Sequence, residues 1–366
     1  MIPFFDYRPE YRRHAGEIAA AVQRVFDSGR LILGPEVEAF ESEFAAAMGA
    51  AGAVGVASGT DALVLAFRAL EIGPGSEVLA PANAGVPPIA AIRATGATPV
   101  FVDVESETLS IDPRAVAAAV GPKTGCVLAV HLYGAPAATD ALLEITGRHG
   151  LPLVEDCAQA HGARLDGRPV GGQGALGCFS FYPTKNLGAL GDGGAVVSDD
   201  PALLERIRLQ RMYGYPAGQR QSVVEGLNSR LDELHAAILR VKLPHLASVN
   251  AERRDLAARY DARLAGSVLA PVPVRAAAES VHHLYVVRTE NRAAVMASLE
   301  RHGIGYGLHY EHAVHRMPAY QGMGPAAGGL PVTEAACATV LSLPIYPGLP
   351  DEVYDRLDGV LEDLRS

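Results

Sequence analysis

Cysteine is scarce in this chain: four in 366 residues, at Cys126, Cys157, Cys178 and Cys337. None stands in a CxxC pair, so neither a disulfide framework nor a zinc site is expected. Buried thiols in a reducing, cytoplasmic setting are the default reading. Basic residues are also in the minority, 31 against 41 acidic, and they form no stripe, which argues against a nucleic-acid partner. An anionic ligand would then need a local device, such as a helix N-terminus or a few placed cations. No run of about 18 apolar residues occurs, so no transmembrane helix is expected. The opening MIPFFDYRPEYRRH lacks an apolar segment after a basic start, so no signal peptide is expected either.

What is present points to a globular protein. Hydrophobic residues make up 49% and charged residues 20%, which excludes intrinsic disorder. The length is about twice that of one domain of roughly 100–200 residues, so two domains are expected. Short apolar runs alternate with helical stretches from AVGVA (53–57) through EVLAP (77–81), TPVFVDV (98–104), CVLAVHLYG (126–134), LPLVED (151–156), GCFSFY (177–182) and GGAVVS (193–198). Such runs between helices indicate strands buried on both faces, hence a mostly parallel α/β sheet with flanking helices. The last third changes character. A helix over 230–246, a second over 247–265 and two short strands, HHLYVVRT (282–289) and HGIGYGLHY (302–310), read as a smaller C-terminal α+β domain. We place the large domain at 1–245 and the small one at 246–366, with Pro244 ending or kinking the connecting helix.

Two motifs invite the wrong chemistry. Gly172, Gly174 and Gly177 satisfy G-x-G-x-x-G, but they lead into a strand rather than a helix, so they read as a flexible surface loop and not a dinucleotide fingerprint. His309, His312 and His315 recur every three residues without an HExxH-type partner; an interfacial or substrate-facing loop fits better than a metal site.

Three other features converge. Ser58-Gly59-Thr60 sits between a buried strand and a helix, where backbone N–H groups receive anions and glycine permits close approach. Taken alone, Thr60 is as readily a helix cap. Glu155 and Asp156 end a buried strand, where open α/β sheets place ligands, with Gln159 three residues beyond Asp156. Lys185 follows an aromatic strand and precedes a glycine-rich run; a desolvated lysine there becomes a nucleophile toward an aldehyde. A lysine, a carboxylate and an anion cradle are what pyridoxal 5′-phosphate requires.

The segments GPEVEAFESEF, VASGTDALVLAFRAL, GATPVFVDV, VHLYG, VEDCAQAHGA, FSFYPTKNLGALGDGGAVV, GLNSRLDELHAAILRVKL and LSLPIYPGL resemble, in that order, the DegT-type nucleotide-sugar aminotransferases, pyridoxal-phosphate enzymes of the aspartate-aminotransferase fold. The resemblance implies that Lys185 binds the cofactor aldehyde and shuttles the proton, and that Asp156 pairs with the pyridine nitrogen. It implies that Gln159 lies near the ring's phenolic oxygen and that Gly59, Thr60 and Ser180 hold the phosphate. Asn228 would reach the phosphate of the neighbouring subunit in a homodimer. It further implies a ping-pong reaction with an amino-acid donor, glutamate, and a keto-sugar nucleotide as acceptor. GLNSRLDELHAAILRVKLPHL resembles the subgroup that aminates C-3 of dTDP-3-keto-6-deoxyhexoses, with C-4 amination and an aminocyclitol acceptor as alternatives. Dehydratase-like relatives replace the lysine with histidine, and the intact Lys185 speaks against that reading and against a non-catalytic sensor. One departure stands out: Gly85, in Pro81–Pro88, occupies the place where many relatives carry a ring-stacking aromatic residue.

Overall fold

The computed structural model describes residues 1–323 and 329–365. The alternating pattern folds as expected into a seven-stranded sheet. Its strands are β1 (Gly52–Val56), β2 (Glu77–Pro81), β3 (Thr98–Val102), β4 (Thr124–Val130), β5 (Leu153–Asp156), β8 (Leu176–Ser180) and β9 (Gly194–Ser198), the two-residue strands β6 (Arg164–Leu165) and β7 (Arg168–Pro169) lying outside it. The spatial order is β1-β9-β8-β5-β4-β2-β3, and β9 alone runs against its neighbours. Parallel strands need helical crossovers, which cover both faces. Accordingly β5, β8 and β9 are buried along their whole length. The parallel pairing of β5 with β8 brings Asp156 level with Cys178, so the carboxyl ends of these strands, and Asp156 and Ser180 with them, open toward one edge.

Helix α1 (Arg8–Ser28) and helix α2 (Pro35–Met48) precede the sheet, and helix α3 (Gly59–Ala69) follows β1. One face of the sheet carries an aromatic core in which Phe44 meets Phe179 and Phe181 edge-on at 5.1 and 5.2 Å between ring centres. Edge-to-face pairs of this kind stabilise beyond their buried area by roughly 0.5–1.5 kcal/mol. The start of α2 is fixed from a distance. The fully buried carboxylate of Glu233 accepts from the backbone N–H groups of Gly34, Glu36 and Val37 at 2.8, 3.0 and 2.8 Å. These are the donors a helix leaves unpaired at its N-terminus, and a carboxylate also complements the dipole there.

The helical connector runs as Glu233–Lys242, a 3₁₀ turn Leu243–His245 at Pro244, and then Leu246–Leu264. Beyond it, β10 (Ala270–Pro271), β12 (Tyr285–Arg288) and β13 (Val340–Leu343) form an antiparallel sheet, while β11 (Ala278–Glu279) pairs with β6. The HHLYVVRT strand is present, but HGIGYGLHY is not one. Its residues make only single bridges, Ile304 to Ile2 and Gly307 to Ser342. The strand that fills the place is Val340–Leu343, in the LSLP segment. Glycines at 303, 305 and 307 explain the difference, since glycine weakens a strand and Gly303 adopts a positive φ of 66°. The chain start joins this region too: Ile2 is buried in the same apolar cluster as Tyr285, Leu341 and Tyr354.

Candidate active site

Strand alternation sends neighbouring carboxylates to opposite faces, and this separates Glu155 from Asp156. Glu155 is fully buried and accepts from Gly171, Gln173 and Gly174 N–H at 2.9, 2.8 and 2.7 Å, and lies 2.9 Å from His131 Nε2. Burial opposes its charge, but His131 and these backbone donors outweigh it and hold the carboxyl below its ordinary range. The glycine-rich segment is therefore not a flexible surface loop. It is a tight wrap around a buried anion, and a Cβ on Gly177 would lie 2.1 Å from the Gly171 carbonyl oxygen. His131, Glu155 and Cys157 are close enough to suggest a metal cluster, yet the imidazole is already spent, its Nδ1 accepting from Ala137 N–H at 3.0 Å.

Asp156 faces the other way. It is buried, accepts from Ala158 N–H at 3.0 Å, and feels the positive charge of Lys185. Burial raises its pKa, against the pull of that N–H and of the lysine. Burial pushes the Lys185 ammonium down to about 8, with Asp156 opposing the shift. Near neutrality a usable fraction of this amine is unprotonated, as a nucleophile requires.

Lys185 and Gln159 line one cavity of about 170 Å³ with Phe4, Thr184, His283, His309 and Tyr310. Gln159 accepts from Tyr133 N–H at 2.6 Å and donates through Nε2 to the Tyr310 hydroxyl at 3.1 Å. Tyr133, at positive φ, donates its hydroxyl to the His309 carbonyl at 2.7 Å. Beside the cavity, Gly59 opens α3 directly against Ser180, where an added Cβ would lie 2.6 Å from the Ser180 Cβ. The cap of α3 is Ser58, which accepts from Asp61 N–H at 3.1 Å, so the capping role open to Thr60 in the sequence is not the one it plays.

Asn228 is exposed, its backbone bridging Met212. Next to it, the Ser229 hydroxyl donates to Asp61 at 2.7 Å and accepts from Ala57 N–H at 3.0 Å, anchoring the segment beside the start of α3. The three spaced histidines diverge. His309 lines the cavity with Nδ1 2.9 Å from Ser342 Oγ, His312 is exposed, and His315 Nε2 is 2.9 Å from Glu334. Among the described residues they make no metal cluster.

Tyr310 and Tyr133 were not singled out from the sequence. A signal for Tyr310 existed in the missing aromatic at Gly85: a Cβ there would meet the Tyr310 ring at 3.1 Å. An aromatic ring from a segment 225 residues downstream thus fills the space beside that glycine. The residues suit pyridoxal phosphate by their chemistry: a desolvated amine, a buried carboxylate beside it, and a helix N-terminus that only glycine can bring against Ser180.

The chain is similar to known proteins along nearly its whole length. The profile of the DegT/DnrJ/EryC1/StrS aminotransferase family matches residues 13–362. The dTDP-3-amino-3,4,6-trideoxy-alpha-D-glucose transaminase of Streptomyces venezuelae is 50% identical over 95% of this chain and 92% of its own length. The crystal structure of S. venezuelae DesV superposes with a TM-score of 0.95 at 48% identity, covering 99% of this chain and 98% of that one. That of NtdA from Bacillus subtilis, which holds bound PMP, superposes at 0.90 and 29% identity, covering 97% and 82%. Matched along almost its entire length, this chain belongs to the DegT/DnrJ/EryC1/StrS aminotransferase family.

Proposed function

We propose that this chain is a pyridoxal-phosphate-dependent transaminase that moves an amino group from an amino acid, glutamate, to C-3 of a dTDP-linked 3-keto-6-deoxyhexose. The observation that carries it is the buried Lys185 amine, eased toward its neutral form beside the Asp156 carboxylate. Likeness to a relative named as a dTDP-3-amino sugar transaminase supports the choice of carbon. Bound here, pyridoxal phosphate supplies an aldehyde to carry nitrogen and a ring that withdraws electrons. Asp156 keeps the ring nitrogen protonated. Gly59, Thr60 and Ser180 receive the phosphate at the start of α3. Gln159 would lie near the phenolic oxygen. Lys185 Nζ takes a proton from the donor's α-carbon and delivers one to the sugar carbon in the second half of the cycle. Tyr310 gives the aromatic surface that Gly85 cannot. The division into residues 1–245 and 246–366 belongs to this proposal as well.

The test offers 3-keto and 4-keto dTDP-6-deoxyhexoses and a cyclitol ketone separately with glutamate, and locates the new nitrogen by NMR. Turnover of the 3-keto sugar is expected. Exclusive turnover of the 4-keto sugar would move the reaction to C-4, and turnover of the cyclitol alone would remove the nucleotide from the substrate.

Asn228 completes the neighbouring subunit's site in a homodimer. Mixing inactive Lys185→Ala with inactive Asn228→Ala protomers is therefore expected to restore activity, since a mixed dimer has one site with both residues intact. The Ser229 anchor gives this test its contrast, because it holds Asn228 close to the phosphate loop of its own chain. No recovery after demonstrated subunit exchange would assign Asn228 to its own site.

A further inference from the structure

Asn186, next to the lysine, is 2% exposed and is held at three points. Its Nδ2 donates to Asn250 Oδ1 and to the Val281 carbonyl, each at 2.9 Å. Both amide hydrogens are thereby committed to oxygens that can only accept, so the amide cannot be flipped. Asn250 is fixed in the same way, donating through its own Nδ2 to the His161 carbonyl at 2.8 Å. The remaining atom of Asn186, Oδ1, lies 3.2 Å from His283 Nδ1. An oxygen that can only accept requires a proton on that nitrogen.

In a neutral imidazole the other nitrogen then carries a lone pair. The ring is neutral: burial foremost, then the charges of Lys185 and Arg253, hold its pKa well below the ordinary value. The backbone that carries the ring is held as well. Arg253 Nη1 donates to the carbonyls of His282, His283 and Ile345 at 3.2, 3.3 and 3.0 Å, pinning the backbone on both sides of the cavity. His283 lines the same cavity as Lys185, and no described residue bonds its Nε2.

We propose that the amide chain Asn250–Asn186 fixes His283 in the Nδ1-protonated tautomer so that Nε2 presents a lone pair to the cavity that Lys185 lines, an acceptor that Lys185 Nζ reaches as it attacks the cofactor aldehyde. His283 is then a positioning residue: it acts through Lys185, aiming the amine's lone pair into the cavity. The same acceptor is available when Lys185 moves protons, so one lone pair serves both stages. The proposal rests on the role given to Lys185 above.

Covalent capture isolates the effect from turnover. The Nζ lone pair attacks the aldehyde carbon, the carbonyl oxygen leaves as water with both amine hydrogens, and a C=N bond forms without oxidant or reductant. Cofactor-free protein is mixed with pyridoxal phosphate, and the rate of the borohydride-reducible adduct on Lys185 is compared among wild type, His283→Gln and His283→Phe. Gln keeps an acceptor and Phe keeps only the bulk. The Phe variant is expected to capture about tenfold more slowly, about what one uncharged hydrogen bond contributes, and Gln to recover most of the rate. Equal rates in all three, or an equal loss in both variants, would overturn the proposal. Independently of folding in the variants, ¹⁵N NMR of the histidine rings in wild type is expected to show His283 protonated at Nδ1. A proton on Nε2 would overturn it too. If wild type itself forms no adduct on Lys185, the role of Lys185 fails instead, and the NMR result still reports on the tautomer.

Discussion

Lys185→Ala is expected to abolish transamination, with kcat lowered by more than about 10³-fold. The variant removes the only amine that lines the cavity among the described residues, and with it both covalent capture and proton transfer. Acid–base catalysis alone contributes roughly 10²–10⁴-fold. Cofactor is still expected to bind noncovalently, because the start of α3 is untouched. Borohydride reduction and peptide mapping of wild type should place the adduct on Lys185. An adduct on Lys123 or Lys242 instead would sink the assignment, and Lys242 is in any case spent on the Gly188 carbonyl at 2.6 Å and on Glu10 at 2.9 Å. The pH dependence has a definite sign. With its pKa near 8, the amine gains its reactive form as pH rises from 7 to 9, so capture by the cofactor-free chain should accelerate through that window and then level off.

Asp156→Asn is expected to lower kcat by about 10²–10³-fold, the usual loss when one aimed electrostatic group is removed, with far less effect on cofactor affinity. The asymmetry follows from where each interaction acts. The phosphate cradle binds every state alike, whereas the carboxylate strengthens electron withdrawal as the transition state forms. Asn keeps the shape and can still accept from Ala158 N–H, so the fold should tolerate it. Steady-state kinetics beside a cofactor titration will separate the two effects, and near-normal turnover in the variant would refute the role.

The parallel sheet was legible because its strands are apolar on both faces, a pattern that needs no knowledge of partners. Asp156 and Lys185 were legible for a related reason: a charge at the end of a buried strand, or beside an aromatic one, is expensive unless something uses it. Glu155 shows where this logic stops. It sits one residue from Asp156 and is no less buried, and its role depends on which way the pleat sends it and on a loop 16 residues downstream. The HGIGYGLHY segment misled because its alternating side chains look like a strand, while the glycines between them allow the backbone to leave the ladder. Tyr310 was hidden for a third reason. A side chain contributed from far along the chain leaves no local pattern, and only the gap at Gly85 marks where it must go.

That gap also bears on how such a site changes over evolutionary time. Gly85 adopts a φ of 76°, and the ring of Tyr310 occupies the space beside it. Restoring an aromatic residue at position 85 in one step meets two obstacles at once, a collision and a left-handed backbone costing a side chain roughly 1–2 kcal/mol. Shrinking Tyr310 first removes the collision but leaves Gln159 Nε2 without its partner. Each single change passes through a worse protein, so the two positions are locked to one another. Further change in this face of the cavity is thereby channelled into the residues around His309 and Tyr310 rather than into the segment that ends β2.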